Sequence, residues 1–237
     1  LLCYSAREAA FLASLGFDDL LVAYPAWQAA DLDAAAATVA RGVRLRMAVD
    51  SEESLVRLGV FGTKHGVVMP AVLCVDMSLA ALGGRVHLGV RRSPLHAPAQ
   101  VAELVGRAQA LGGVEITGIL AYEAQIAGLA DAAPGRRVYN AALRAFKELS
   151  LRELVARRGA IVAAARRQGA ALELVNGGGT GSLDETLEDP AVTEVTVGSA
   201  FYKPHLFDAY RSPAVGELEP AAFFALEVTR VPAAGYV

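Results

Sequence analysis

The stretch LELVNGGGTGSLDET, residues 172–186, joins an apolar run to a polar segment through a glycine loop. The run stops at Asn176, and Ser182 to Glu185 has the spacing of a capping box that opens a short helix. Glycine takes positive φ without steric penalty but is costly to order, so the loop predicts a close approach of the backbone to a ligand. A strand, a glycine loop and a helix N-terminus together favour an anion site, with a tight turn as the alternative.

Short apolar runs alternate with Ala-rich helical stretches along the chain, which is the βα pattern of a parallel sheet. The predicted strands are 1–5, 19–24, 43–49, 67–76, 114–122, 171–176 and 193–198. The predicted helices are 6–15, 27–41, 51–60, 97–111, 138–168 and 182–188. The segment 77–96 is an irregular insertion, in which RVHLGV is expected to form a small extra strand.

Seven strands are one short of a (β/α)8 barrel. The chain opens on an apolar run at Leu1 without a methionine, so we interpret it as a piece of a longer protein whose first strand precedes it. We predict an α/β fold, a TIM-type (β/α)8 barrel lacking its first strand, over 1–211. A linker at 212–219 and the first strand of a C-terminal β domain at 220–237 follow. A doubly wound sheet is the alternative, but its glycine fingerprint is absent from the early strands.

Composition excludes several classes of protein. Of the 237 residues, 54% are hydrophobic and 20% charged, and the net charge of −3 gives no basic field for nucleic acid. The pair Arg157 and Arg158 is expected on a solvated helix face. No membrane-spanning stretch or signal peptide is visible, and Cys3 and Cys74 lie in apolar runs typical of reduced core thiols. We expect a cytoplasmic protein that binds neither nucleic acid nor membrane.

Barrel enzymes often hold a phosphate with the loops after strands seven and eight. With a first strand added to the count, Gly177–Gly181 follows strand seven and Gly198-Ser199 follows strand eight. This placement favours a phosphate site over a simple turn. The histidines show no metal-ligand spacing, so we assign no metal site to the chain.

Polar residues also follow other predicted strands. For Asp50 a helix N-cap is favoured over a catalytic role, whereas Asp76 precedes no clear helix. Tyr122 needs a polar partner if it is buried, and a cofactor ring or phosphate would provide one. Glu123 and Gln125 fit outward-facing loop positions equally well.

The segments NGGGTGS, VGSAFYKPHLFDAY and GILAYEAQ resemble those of the alanine racemase-like, fold-type III enzymes that use pyridoxal 5'-phosphate (PLP). The branch they resemble most is that of D-threonine aldolase and D-serine dehydratase, often labelled amino acid deaminase/aldolase. The resemblance covers nearly all of the chain. It implies a PLP-dependent lyase, an aldolase or an ammonia-lyase, that acts on a D-amino acid substrate and forms a homodimer at full length. The cofactor-binding residues it implies are Tyr122, Gly178, Gly179, Thr180, Gly198 and Ser199.

The resemblance puts the Schiff-base lysine on the strand before Leu1, so no lysine of this chain receives that role. The family pattern DxGxxRxG is interrupted here. Asp76 is kept and Arg92, or Arg91, is the displaced arginine, with a surface arginine pair as the alternative. A divalent metal is implied in the C-terminal β domain beyond Val237. Three other functions stay open: an amino acid racemase, a non-catalytic PLP-binding homeostasis protein, and an unrelated barrel enzyme for a phosphorylated substrate.

Overall fold

One parallel sheet organises the chain, which the computed structural model describes over residues 1–81 and 86–236. The strands are β1 (Leu2–Cys3), β2 (Asp19–Val22), β3 (Arg44–Val49), β4 (Met69–Cys74), β5 (Leu79–Ala81), β6 (Val86–Leu88), β7 (Val114–Leu120), β8 (Leu174–Gly177) and β9 (Glu194–Val195). The sheet order is β1-β2-β3-β4-β7-β8-β9, and every pair is parallel. All seven predicted strands are therefore confirmed.

Helices follow the strands. They are α1 (Ala6–Ser14), α2 (Ala29–Ala40), α3 (Glu52–His65), α4 (Pro98–Ala110), α5 (Ala124–Ala127), α6 (Arg137–Arg167), α7 (Leu183–Leu187) and α8 (Pro213–Gly216). The six predicted helices are confirmed, and the four-residue helices α5 and α8 were not predicted. Helix α3 is capped by Ser51, whose hydroxyl accepts from the Ser54 N–H, so the cap expected at Asp50 is wrong by one residue.

The irregular insertion forms a hairpin. Strands β5 and β6 pair antiparallel as a separate two-stranded sheet, which agrees with the extra strand expected there. Residues 82–85 of this insertion lie outside the described residues.

The seven-stranded sheet curls back on itself. Alternate side chains point to the helices, while Leu21, Ala48, Val72 and their neighbours form a second apolar cluster on the opposite face. Residues of the two edge strands, among them Leu2 and Val195, line one common cavity of about 420 Å³. A doubly wound sheet reverses its strand order part-way, and this order never reverses. The fold is an α/β half-barrel, as predicted for a barrel of the TIM type.

Arg46 ties the two sides of the curl together. Its side chain is buried, and it donates to Asp19 of β2 at 2.6 Å and to Glu173, just before β8, at 2.8 Å. Because β2 and β8 are far apart in the sheet order, this bridge crosses the open interior of the half-barrel.

The segment after the barrel carries no helix or strand over residues 220–231, and Phe223, Phe224 and Leu226 are exposed. The domain boundaries at 211 and 219 stay predictions, and Val237 lies outside the described residues. Both cysteines are buried and free, as expected. Within the described ranges, no helix has the length and apolarity needed to cross a membrane.

Candidate functional site

The glycine loop leaves the carboxyl end of β8 in a conformation that only glycine adopts easily. Gly178 has φ +87°, and a Cβ there would lie 2.6 Å from Cγ1 of Val195. The Gly178 N–H donates to Oε2 of Glu123 at 3.1 Å, and the Gly179 N–H donates to Oγ of Ser182 at 3.2 Å. The N–H groups of Gly178 and Gly179 thus donate to side chains of the protein itself. The Ser182 hydroxyl accepts from Gly179 and does not cap α7, so the capping box expected at Ser182 is wrong.

The next residues of the loop carry donors without a partner. Thr180 is 5% exposed, and its Oγ1 is buried without a hydrogen bond to the described residues. Across residues 1–81 and 86–236, the backbone N–H groups of Thr180, Gly181, Gly198 and Ser199 form no hydrogen bond either. Since buried polar groups are paired in nearly all native proteins, the Thr180 hydroxyl indicates a ligand that accepts hydrogen bonds.

Both glycine loops line one cavity of about 290 Å³ at the carboxyl ends of the strands. The structure brings together here all six residues predicted to bind the cofactor: Tyr122, Gly178, Gly179, Thr180, Gly198 and Ser199. Gly179 packs so closely that a Cβ would lie 2.8 Å from the Tyr122 ring. Their part in binding remains a prediction, and their shared location is what that prediction requires.

An arginine between two tyrosines forms another wall of this cavity. The Arg92 guanidinium lies 4.9 Å from the ring centroid of Tyr24 and 5.2 Å from that of Tyr122. Burial raises the pKa of the Tyr122 hydroxyl, while the positive charge of Arg92 opposes that rise. Tyr24 was missed by the sequence analysis, although it follows β2 in the same Ala-Tyr dipeptide in which Tyr122 follows β7.

Asp76 lies next to this cavity rather than in it. It is 5% exposed, its carboxylate accepts from the Ser78 N–H at 2.8 Å, and it lines a neighbouring cavity of about 530 Å³ together with His96. Arg92 lines both cavities. The two catalytic candidates, Asp76 and Arg92, are therefore neighbours, although only Arg92 reaches the glycine loops.

The residue after Tyr122 is not an outward-facing loop residue. Glu123 is 2% exposed, and its Oε2 accepts from Nη2 of Arg158 at 2.8 Å. Arg158 is itself 1% exposed and donates to Asp189 at 2.5 Å. The expectation of a solvated basic face is therefore wrong for both arginines, because the helix period of α6 turns Arg158 towards two buried carboxylates. Arg157, whose side chain is 9% exposed, donates to the carbonyl oxygens of Asp76, Met77 and Ser78. Gln125 is also buried.

The lysines do not line the cavity between the glycine loops. Lys147 pairs with Asp131 at 3.5 Å and Lys203 pairs with Asp208, and none of the chain's lysines is among the residues that line the 290 Å³ cavity. In the part of the chain that the structure describes, no group of three or more His, Cys, Asp or Glu side chains could hold a metal ion.

Solved structures of known proteins share the fold of this chain. No family model matches the chain, and no curated protein matches it. The solved structure of D-threonine aldolase from Filomicrobium marinum has a TM-score of 0.74 at 17% identity, over 93% of this chain and 53% of that one. The chain shares the fold of this solved structure. The resemblance noted in the sequence is confirmed at the level of the fold.

Other solved structures agree with that fold. D-threo-3-hydroxyaspartate dehydratase from Delftia sp. HT23 has a TM-score of 0.57 at 21% identity, over 84% of this chain and 46% of that one. Alanine racemase from Clostridium difficile 630, in complex with cycloserine, has a TM-score of 0.58 at 15% identity, over 93% of this chain and 51% of that one. The chain therefore spans about half the length of the solved structures it matches.

Proposed function

We propose that this chain forms the cofactor-binding barrel of a PLP-dependent enzyme acting on D-amino acids, as an aldolase or a dehydratase. The observation that carries the proposal is the buried Thr180 hydroxyl without a partner, beside unbonded backbone N–H groups from two glycine loops. A phosphate accepts hydrogen bonds from several directions, and clustered backbone N–H groups are a common way of binding it. The residues present therefore fit the phosphate of PLP.

The proposed roles follow from which donors are free. Thr180 would bind the phosphate through its hydroxyl and its N–H, with further N–H groups from Gly181, Gly198 and Ser199. Gly178 and Gly179 would shape the loop, because their own N–H groups donate to Glu123 and Ser182. These two glycines would therefore act as spacers rather than as hydrogen-bond donors to the phosphate.

The cavity wall formed by Tyr24, Arg92 and Tyr122 would orient the ring of the cofactor. Tyr122 contacts the glycine loop on one side and Arg92 on the other, so a planar ring in this cavity would lie beside a fixed cation. When bound, PLP supplies an electron sink for the bonds to Cα of an amino acid. Arg92 would keep a positive charge near the ring or the substrate carboxylate, and Asp76 would act from the neighbouring cavity.

The remaining parts of the enzyme are proposals that reach beyond this chain. The Schiff-base lysine, a C-terminal β domain with a divalent metal, and a homodimer are expected of the whole protein. A cytoplasmic location is proposed with them. Fold neighbours named as an aldolase and a dehydratase support the lyase type, and the alanine racemase among the neighbours makes a racemase the alternative.

Binding of the cofactor is tested by calorimetry. We expect the purified chain to bind PLP, and inorganic phosphate to compete with it. The Ser199→Pro variant, which removes one N–H donor, is expected to bind PLP about tenfold more weakly, since a hydrogen bond to a charged group contributes about 1.5–3 kcal/mol. Undetectable binding of both PLP and phosphate by the unchanged chain would contradict the proposal.

The reaction is tested with the full-length protein and PLP, on D-threonine and D-serine. Glycine with acetaldehyde identifies an aldolase, a 2-oxo acid with ammonia identifies a dehydratase, and the L-enantiomer identifies a racemase. We expect one of the first two outcomes. Racemisation alone, or PLP binding without turnover, would overturn the lyase assignment and favour a racemase or a homeostasis protein.

A further inference from the structure

Glu123 connects the end of one barrel strand to three positions around the glycine loop. Its Oε2 accepts from the Gly178 N–H at 3.1 Å. Its Oε1 accepts from the hydroxyl of Thr186 and from that of Ser182 at 3.4 Å. Ser182 in turn accepts from the Gly179 N–H. The Glu123 carboxylate thus holds the Gly178 N–H directly and the Gly179 N–H through Ser182, and neither N–H group is left for a ligand.

The carboxylate is itself held from behind by an arginine. Arg158 donates through Nη2 to Glu123 and to the carbonyl oxygen of Ala121, each at 2.8 Å, and through Nη1 to Asp189. All three charged side chains are at least nine-tenths buried. A buried charge is tolerated only where it is paired and hydrogen-bonded, so the position of Glu123 is fixed by α6 and by the segment after α7.

The consequence for the loop is a defined conformation. A left-handed φ at Gly178 is one of several conformations open to glycine, and ordering this residue has a high entropic cost. The bond to Glu123 selects one of them. In that conformation the hydroxyl of Thr180 is left without an internal partner, and Thr180 lines the cavity.

We propose that Glu123 is a positioning residue, which sets the affinity of the glycine loop for a phosphate group by holding Gly178 and keeping the Thr180 donors free. This inference rests on the proposed function, because the phosphate is that of PLP. Arg158 acts through Glu123, and neither residue lines the cavity.

The test compares Glu123→Ala with Glu123→Gln, using PLP and inorganic phosphate as probes in calorimetry. A glutamine keeps an oxygen that accepts from the Gly178 N–H and from Arg158. Its NH₂ group can donate to the Thr186 hydroxyl oxygen, because the Thr186 O–H can donate to the Ser182 carbonyl oxygen, 2.7 Å away, instead. We expect Glu123→Ala to bind both probes about tenfold more weakly, and Glu123→Gln to stay within about threefold of the unchanged chain.

A control separates positioning from lost stability. Leu104→Ala in α4 removes a buried side chain remote from the cavity, so it destabilises the chain and is expected to leave the affinity unchanged. Hydrogen exchange provides a second readout: peptides over 177–186 should exchange faster in Glu123→Ala, with the rest of the sheet unaltered.

The outcomes separate phosphate binding by the chain from the positioning role of Glu123. If the unchanged chain binds neither probe, the proposed function fails while the exchange result still reports on the loop. If it binds them and Glu123→Ala binds equally well, only the positioning role fails. Should Glu123→Ala not fold, Glu123→Asp takes its place, because the shorter side chain keeps a carboxylate for Arg158 but draws it away from the Gly178 N–H. Weaker binding of PLP by Glu123→Asp supports the role, and unchanged binding overturns it.

Discussion

Replacing Thr180 by valine should stabilise the free chain and weaken its binding to phosphate. Valine has nearly the same shape as threonine and lacks the hydroxyl. The hydroxyl is buried in a residue that is 5% exposed, and it has no partner among the described residues. An unsatisfied buried polar group costs about 1–3 kcal/mol, so we expect Thr180→Val to raise the free energy of unfolding by about 1 kcal/mol.

The matched control is Thr38→Val in α2. Thr38 is fully buried, but its hydroxyl donates to the Ala34 carbonyl oxygen at 2.8 Å and accepts from Arg41 at 3.2 Å. We expect this variant to lose about 1 kcal/mol, so the two Thr→Val changes should have opposite signs.

Urea unfolding followed by circular dichroism gives both free energies, and each 1 kcal/mol shifts the melting temperature by about 2–4 °C in a chain of this size. Calorimetry with PLP should show Thr180→Val binding about tenfold or more weakly, since a donor to a charged phosphate is lost. A destabilised Thr180→Val chain with unchanged affinity for PLP would show that the Thr180 hydroxyl has a structural partner and does not bind the phosphate.

Three further changes test the structure around the site. Gly178→Ala should lower the free energy of unfolding by at least about 2 kcal/mol, because φ is +87° and the new Cβ meets Val195; a loss below about 0.5 kcal/mol in urea unfolding would contradict this conformation. Arg158→Met should lose about 3–5 kcal/mol by leaving two buried carboxylates unpaired, whereas the exposed Arg166→Met on the same helix should change little; equal losses would count against the buried network. Burial raises the pKa of Glu185, so the protonated carboxyl contributes stability that is present below the unfolded-state pKa and is lost as pH rises through the folded-state pKa. Glu185→Gln should therefore stabilise the chain near neutral pH more than at about pH 4, and a gain independent of pH would be contrary evidence.

The barrel fold was predictable because its signal is local. Each strand is a short apolar run and most of the long helices are Ala-rich stretches, so their order along the chain already implied a parallel sheet. The helix α5 was missed because four residues carry no usable period, and it forms where the chain turns at Glu123. The cap of α3 was assigned to Asp50 because aspartate and serine are equally good caps, and only the backbone distinguishes it from Ser51.

The candidate site was predictable where glycine marks the backbone and unpredictable where side chains meet across the fold. Gly178, Thr180 and Gly198 could be found from two loops and a strand count. The contact between Arg158 and Glu123 joins residues 35 positions apart, and a double arginine on a helix ordinarily indicates a solvated face. Only the packing of α6 against the strand ends shows that Arg158 is buried and that the Arg157 side chain is bonded to backbone carbonyl oxygens.

We propose that the two glycine loops bind the phosphate of PLP through Thr180 and the free backbone N–H groups. Nuclear magnetic resonance of the ¹⁵N-labelled chain, titrated with PLP and then with inorganic phosphate, reports on each of these N–H groups separately. We expect the amide signals of Thr180, Gly181, Gly198 and Ser199 to shift most with both probes. The Gly178 N–H stays bonded to Glu123, so its signal should shift less. Shifts confined to other parts of the chain, or no shift with either probe, would contradict the proposal.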